Sequence, residues 1–211
     1  MTATKYQPEN GEFSNVAHLA AQRLIYPQIF AVPAEAIQYE ATLLGASERG
    51  SVYDGELGID RIVKVTVNKL HGPLKFVVQE RFRRPAYASY RDITITEWNG
   101  ASNLPSELYK ISAGLFVYGY YDAERNRFID AIAFHVSALL HRMVTNSIAY
   151  RRNKNNKQQD FLSFTFTDLA AANCVAWWQN STGNNGVVYS SPKPSVPTLP
   201  SPTGGRQNSF F

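Results

Sequence analysis

Two strand-like runs joined by a turn constrain this chain more than any other feature. "DRIVKVTV", from Asp60 to Val67, puts Ile62 and Lys64 on one side and Val63, Val65 and Val67 on the other. That period of two is the pattern of a strand with one buried face. "NKLHGP" supplies a turn, and "LKFVVQERFR" from Leu74 to Arg83 reads as the next strand of a hairpin. The second run ends in Gln79, Glu80, Arg81, Arg83 and Arg84. An apolar strand driven into so much charge is either a sheet edge meeting solvent or a gathering point for polar groups around a metal and a phosphate.

The rest of the chain reads as alternating elements. "NVAHLAAQRLIY" has helical spacing, with Ser14 or Asn15 as cap and Pro27 as a stop or bend. "PAEAIQYEATLL" reads as a second helix and "ASERGSVYDGEL" as a loop. "DITITEW" is a third strand, and "LPSELYKI" starts a helix with Asn103 as its cap. "GLFVYGYY" is an apolar, central strand; "FIDAIAF" follows after the turn "DAERNR". "HVSALLHRMV" is an amphipathic helix, "RRNKNNKQQD" a charged loop, "FLSFTFTDL" a strand and "DLAAANCVAWW" a last helix. The useful order is α–β–β–β–α–β, which predicts a layered α/β domain over about residues 12–182. From Gly183 to Phe211 the chain becomes Pro- and Ser-rich without apolar periodicity, the composition of a disordered tail. Its closing "SFF" is a candidate anchor for a protein partner.

Bulk properties exclude several classes. With 211 residues, 44% of them hydrophobic, the chain can bury an ordinary core. One cysteine, Cys174, allows neither an internal disulfide nor a cysteine zinc site, and reads as a small buried residue in a helix. His18, His71, His135 and His141 show no i, i+4 pairing. Neither a phosphate-binding glycine loop nor a Gly-x-Ser-x-Gly elbow is present. No apolar run reaches the ~18 residues of a membrane span, and the start lacks a signal-peptide pattern. A soluble, cytoplasmic protein is therefore expected. The net charge of +4 suits a polyanion partner without requiring one.

Strand alternation puts Val77, Gln79, Arg81 and Arg83 on one face and Val78, Glu80 and Phe82 on the other. Asp60 opens the partner strand, so Asp60, Gln79 and Arg81 are candidates to converge. An Asp carboxylate, an amide carbonyl and a backbone carbonyl are hard donors for Mg²⁺. A nearby guanidinium could hold a phosphate.

"GID" leading one strand and "VQER" on the next, followed by a helix and an apolar strand, resembles the PD-(D/E)XK nuclease superfamily in a Gln-x-Arg variant. The resemblance spans about Phe13 to Leu169. It implies a restriction-endonuclease-like fold, a mixed sheet flanked by helices, and Mg²⁺- or Mn²⁺-dependent hydrolysis of phosphodiester bonds in DNA. It implies Asp60 and Gln79 as metal ligands, helped by the Glu80 backbone carbonyl, and a further carboxylate from an early helix, for which Glu40 is the best candidate, with Glu35 behind it. A strand bulge would bring the Glu80 side chain into the site instead. Arg81 stands where the family has Lys; always protonated, it can brace a phosphate but not act as a base. Gln79 removes a charge from the metal site, which Glu40, Asp54, Glu56, Asp92 or Glu97 would have to supply. These two departures support the alternative: a non-catalytic nucleic-acid-binding or assembly protein on a degenerate nuclease scaffold.

Two further stretches bear on partners. "RFRRPAYASYR" interleaves Arg83, Arg84 and Arg91 with Tyr87 and Tyr90. "YRRNKNNKQQ" adds Arg151 and Arg152. Guanidinium groups bind phosphates and aromatic faces stack on unpaired bases, so both runs are expected to face nucleic acid. Self-association is left open by the sequence.

Overall fold

A computed structural model describes residues 8–40, 58–67, 72–100, 103–155 and 158–180. Helix α1 (Pro8–Leu24) is followed directly by the short α2 (Tyr26–Phe30), which has Pro27 in its first turn. The helix starts well before Ser14 and Asn15, at a proline whose fixed φ suits a first turn. Ala31, in the left-handed region at φ 52°, ends α2.

Three antiparallel strands come next in space: β1 (Ile37–Glu40), β2 (Arg61–Val65) and β3 (Leu74–Arg83). The hairpin of β2 and β3 is as the alternation predicts. The helix expected over "PAEAIQYEATLL" is not formed up to Glu40: a 3₁₀ turn at Ala34–Ala36 leads into β1, which pairs with β2 from Ile37 opposite Val65 to Glu40 opposite Ile62. Pairing against an available sheet edge overrides weak helical propensity here.

Chain then leaves this sheet. A 3₁₀ segment (Pro85–Tyr90) leads to β4 (Asp92–Asn99), the bridge β5 (Leu104–Pro105) and the single-turn helix α3 (Glu107–Lys110). β6 (Leu115–Asp122) returns beside β3 and runs parallel to it, buried along its whole length. β7 (Arg127–His135) turns back antiparallel, followed by α4 (Val136–Val144). β8 (Arg151–Lys154) forms where a loop was expected, paired with β9 (Gln159–Thr165).

The last expected helix is also split. α5 (Phe166–Ala171) is short, with the Thr165 hydroxyl accepting from Asp168 N–H at its start. Asn173 takes φ 56°, which ends it, and β10 (Val175–Asn180) follows along β7. A β-branched residue followed by two tryptophans favours that strand. Cys174 is thus not helical, though it is buried as expected.

Two sheets result: β1-β2-β3-β6-β7-β10, which is mixed, and β5-β4-β9-β8. One face of the larger sheet packs on α1 and α2 through Ala17, Ala21, Ile25, Val63, Val78, Val117 and Trp177. Its other face meets the smaller sheet, α4 and α5 through Phe116, Tyr118, Ile132, Phe134, Ile95 and Phe164. The chain is therefore a mixed α/β layered domain. Asp54, Glu56, His71 and the Pro/Ser-rich tail lie outside the described residues.

Candidate functional site

β3 divides its polar residues between the two layers. Gln79 stands beside Phe116 and Arg81 beside Tyr118, both in the inter-sheet core, whereas Glu80 stands beside Val117 on the helix-covered face. The register is regular from Val78 to Arg83, so no bulge brings Glu80 and Gln79 to one side.

Glu80 sits at the centre of a buried charge cluster. Tyr26 donates its hydroxyl to one carboxylate oxygen; His18 Nδ1 and Arg61 Nε, the latter at 2.7 Å, engage the other. The Glu80 side chain has no exposed surface and those of His18 and Arg61 have 10% and 8%. Burial by itself raises a carboxyl pKa, but the His18 bond and charge, the Arg61 charge and the Tyr26 bond outweigh it and hold Glu80 below the ordinary range. The Tyr26 hydroxyl is pushed well up, first by burial and then by the Glu80 charge. Asp60 joins through the backbone: its Oδ2 accepts from Glu80 N–H at 2.7 Å, and its own N–H donates to Val78 O at 3.0 Å. The Asp60 carboxylate thus fixes the mouth of the hairpin against the strand that carries Glu80.

On the opposite face Arg81 is held at both ends of its fork. One nitrogen donates to Thr94 O at 2.8 Å and another lies 2.6 Å from Glu107 Oε2. Glu107 also accepts from Thr96 N–H at 3.1 Å. Arg81 therefore pins the larger sheet to β4 and α3. The neighbouring Gln79 Oε1 is buried with no hydrogen-bond partner among the described residues. Glu40 lies on β1, paired with Lys64 of β2, and its pKa is lowered first by that hydrogen bond. β2 separates it from β3, so it is not the early-helix carboxylate that the resemblance implies.

A divalent ion needs several oxygen lone pairs aimed at one point. Both Glu80 carboxylate oxygens already take donors, Asp60 Oδ2 takes a backbone N–H, and Gln79 Oε1 lies in the other layer. Among the described residues no three His, Cys, Asp or Glu side chains stand close enough to hold a metal. As arranged, these residues do not fit Mg²⁺.

The two basic–aromatic runs, in contrast, come together. Arg83 lies 4.5 Å from the centre of the Tyr87 ring, Arg84 4.9 Å from that of Phe13, and Arg91 5.9 Å from that of Trp178. Arg91 also approaches Asp130 at 3.5 Å. Arg152 is clamped to Glu97 by two bonds of 2.8 Å. Tyr90 from the first run, Asp92 just after it, and Tyr150 and Arg151 from the second line one open cavity of about 330 Å³. β9 makes this meeting, since it pairs Asp92 with Thr165 on one side and Arg151 with Ser163 on the other.

His18, Tyr26 and Arg61 were not among the sequence candidates. One signal was present: Glu80 shares a face with Val78 and Phe82, and a carboxylate on an apolar face needs a buried donor. Comparison with known proteins returns no match: no family model, curated protein or solved structure is significantly similar to this chain. Among the described residues no helix is long and apolar enough to cross a membrane.

Proposed function

We propose that this chain binds nucleic acid through the surface of β4, β8 and β9 and does not cut it. The observation that carries the reading is the meeting of Tyr90 from the first basic–aromatic run with Tyr150 and Arg151 from the second at one cavity, with Tyr90 67% and Tyr150 41% exposed. Exposed aromatic faces beside the Arg151 guanidinium offer stacking and phosphate contact together. The other half of the support lies in β3. Glu80 and Arg81, two of the charged residues such chemistry would draw on, are each paired within the fold, and the Asp60 carboxylate takes the Glu80 N–H. Fluorescence anisotropy with labelled oligonucleotides tests the reading. Binding should persist in EDTA and weaken with salt, with no nicking of plasmid in Mg²⁺ or Mn²⁺; no binding to any oligonucleotide at low salt would refute it.

A second reading, metal-dependent hydrolysis of DNA, rests on Gln79 Oε1, a buried oxygen without a partner among the described residues, next to the strand position that Asp60 grips. It requires Asp60 to release the Glu80 N–H. Nicking in Mn²⁺ that Asp60→Asn abolishes would establish this reading over the first.

A further inference from the structure

We infer that the cavity between β4, β8 and β9 is a pocket for a single unpaired guanine base. The inference rests on the nucleic-acid reading above and adds a base to it. The lining separates by chemistry. Tyr90 and Tyr150 supply aromatic faces, and the Tyr150 ring is braced against Phe164 at 5.7 Å between centres. Arg151 is exposed at the same cavity and supplies a cation for a flanking phosphate. Asp92 and Asp168 supply carboxylates. Such a site repels a bare phosphate from its interior while attracting N–H groups.

Asp168 is partly spent, because its Oδ2 accepts from the Thr165 hydroxyl at 2.6 Å. Ser163 accepts from Asn153 at 3.1 Å. Asp92 is held mainly through its backbone: the Tyr120 hydroxyl donates to Asp92 O at 2.6 Å and lies 3.2 Å from Oδ1. One carboxylate oxygen of Asp92 thus has a distant partner and no shorter one from that hydroxyl. Burial raises the Asp92 pKa despite that bond and the charges of Arg83 and Arg151. A carboxylate so placed gains from a ligand that donates two hydrogen bonds.

An ionised carboxylate only accepts. Guanine alone presents two adjacent donors, N1–H and the N2 amine, on its pairing edge. Adenine and cytosine place a ring acceptor beside their amine, and thymine flanks its one N–H with two carbonyls; each sets lone pairs against Asp92. The pairing edge is open only in an unpaired base, so the ligand class is single-stranded nucleic acid containing guanine.

The test uses the full chain and labelled oligothymidylate carrying one central guanine, adenine, cytosine or inosine. Guanine should bind tightest, and inosine, which lacks the N2 amine, should lose part of the gain. 7-Deazaguanine, with the pairing edge intact, should match guanine. Asp92→Asn should remove the guanine preference, bringing the guanine oligonucleotide to the level of the others. Tyr90→Ala should weaken all of them about 5- to 150-fold, the range of one lost base stack. Equal binding of every central base, or a loss with 7-deazaguanine, overturns the pocket and leaves the general binding reading standing. Failure of every oligonucleotide to bind overturns both.

Discussion

Glu80, fully enclosed, and Asp92, only partly buried, are carboxylates in two layers of the same domain, and their surroundings treat them oppositely. Glu80 is enclosed by His18, Tyr26 and Arg61, which stabilise its charge more than burial opposes it. Asp92 lies on an open cavity, where burial wins over its neighbours and the charged form is disfavoured. A carboxylate whose charge is fully answered inside the fold is part of the scaffold. One whose charge is not fully answered, on a cavity wall, has interaction energy left for a ligand. The strongly charged stretch at the end of β3 therefore holds the layers together, and the proposed binding cavity falls one sheet away.

The largest effect should come from breaking the closed cluster. Glu80→Ala leaves Arg61 buried without its carboxylate and should cost about 3–5 kcal/mol in chemical unfolding at pH 7. Replacing Glu80, Arg61 and His18 together, as Glu80→Leu, Arg61→Met and His18→Leu, should recover most of that loss, because no buried charge then stands alone. The same cluster sets an acid limit. The Glu80 pKa is depressed when folded, so its stabilisation is complete above the ordinary value of 4.5 and lost as pH falls through the lower folded value. A Glu80→Ala protein with unchanged stability would end its contrast with Asp92. Next in size, Arg81→Met removes the tie between the two sheets at Thr94 and Glu107 and should cost about 1.5–3 kcal/mol. An unchanged midpoint in denaturant would free Arg81 for a phosphate after all.

The strands whose alternation is strong were readable from the sequence: β2, β3, β4, β6 and β7 fall where period two or an unbroken apolar run puts them. β1, β8 and β10 were not. Each is four to six residues long, and all three are edge strands that exist because a longer neighbour offers unpaired backbone groups. "RRNK" carries no apolar face at all and is exposed throughout, so only β9 reveals it as a strand. For the site, residue types were legible and partners were not. That Arg83, Tyr90 and Arg151 could suit a polyanion follows from their chemistry; that Tyr90 and Tyr150 share a cavity depends on β9 pairing on both sides. Likewise nothing local to "QERFRR" announces a histidine 62 positions earlier.

Two smaller effects sharpen the contrast from the open side. Tyr90 is 67% exposed, so Tyr90→Ala should shift stability by no more than about 0.5 kcal/mol. Its loss should appear in oligonucleotide affinity, and a large fall in stability would mark it as a packing residue instead.

The smallest change is the most diagnostic, because its sign is opposite to that at Glu80. The Asp92 pKa is raised in the folded state, chiefly by burial. The folded chain then holds that proton more tightly than the unfolded one, so stability is greatest below the ordinary aspartate value of 3.8 and declines as pH rises through the raised folded value. Asp92→Asn removes the ionisation. It should make the protein slightly more stable than wild type at pH 7, with the difference shrinking as pH falls toward 3.8 and both carboxyl and amide are uncharged. Thermal unfolding at several pH values measures it. A variant less stable at pH 7 would mean that the carboxylate of Asp92 is satisfied within the fold, as Glu80 is, and has nothing left to offer a ligand.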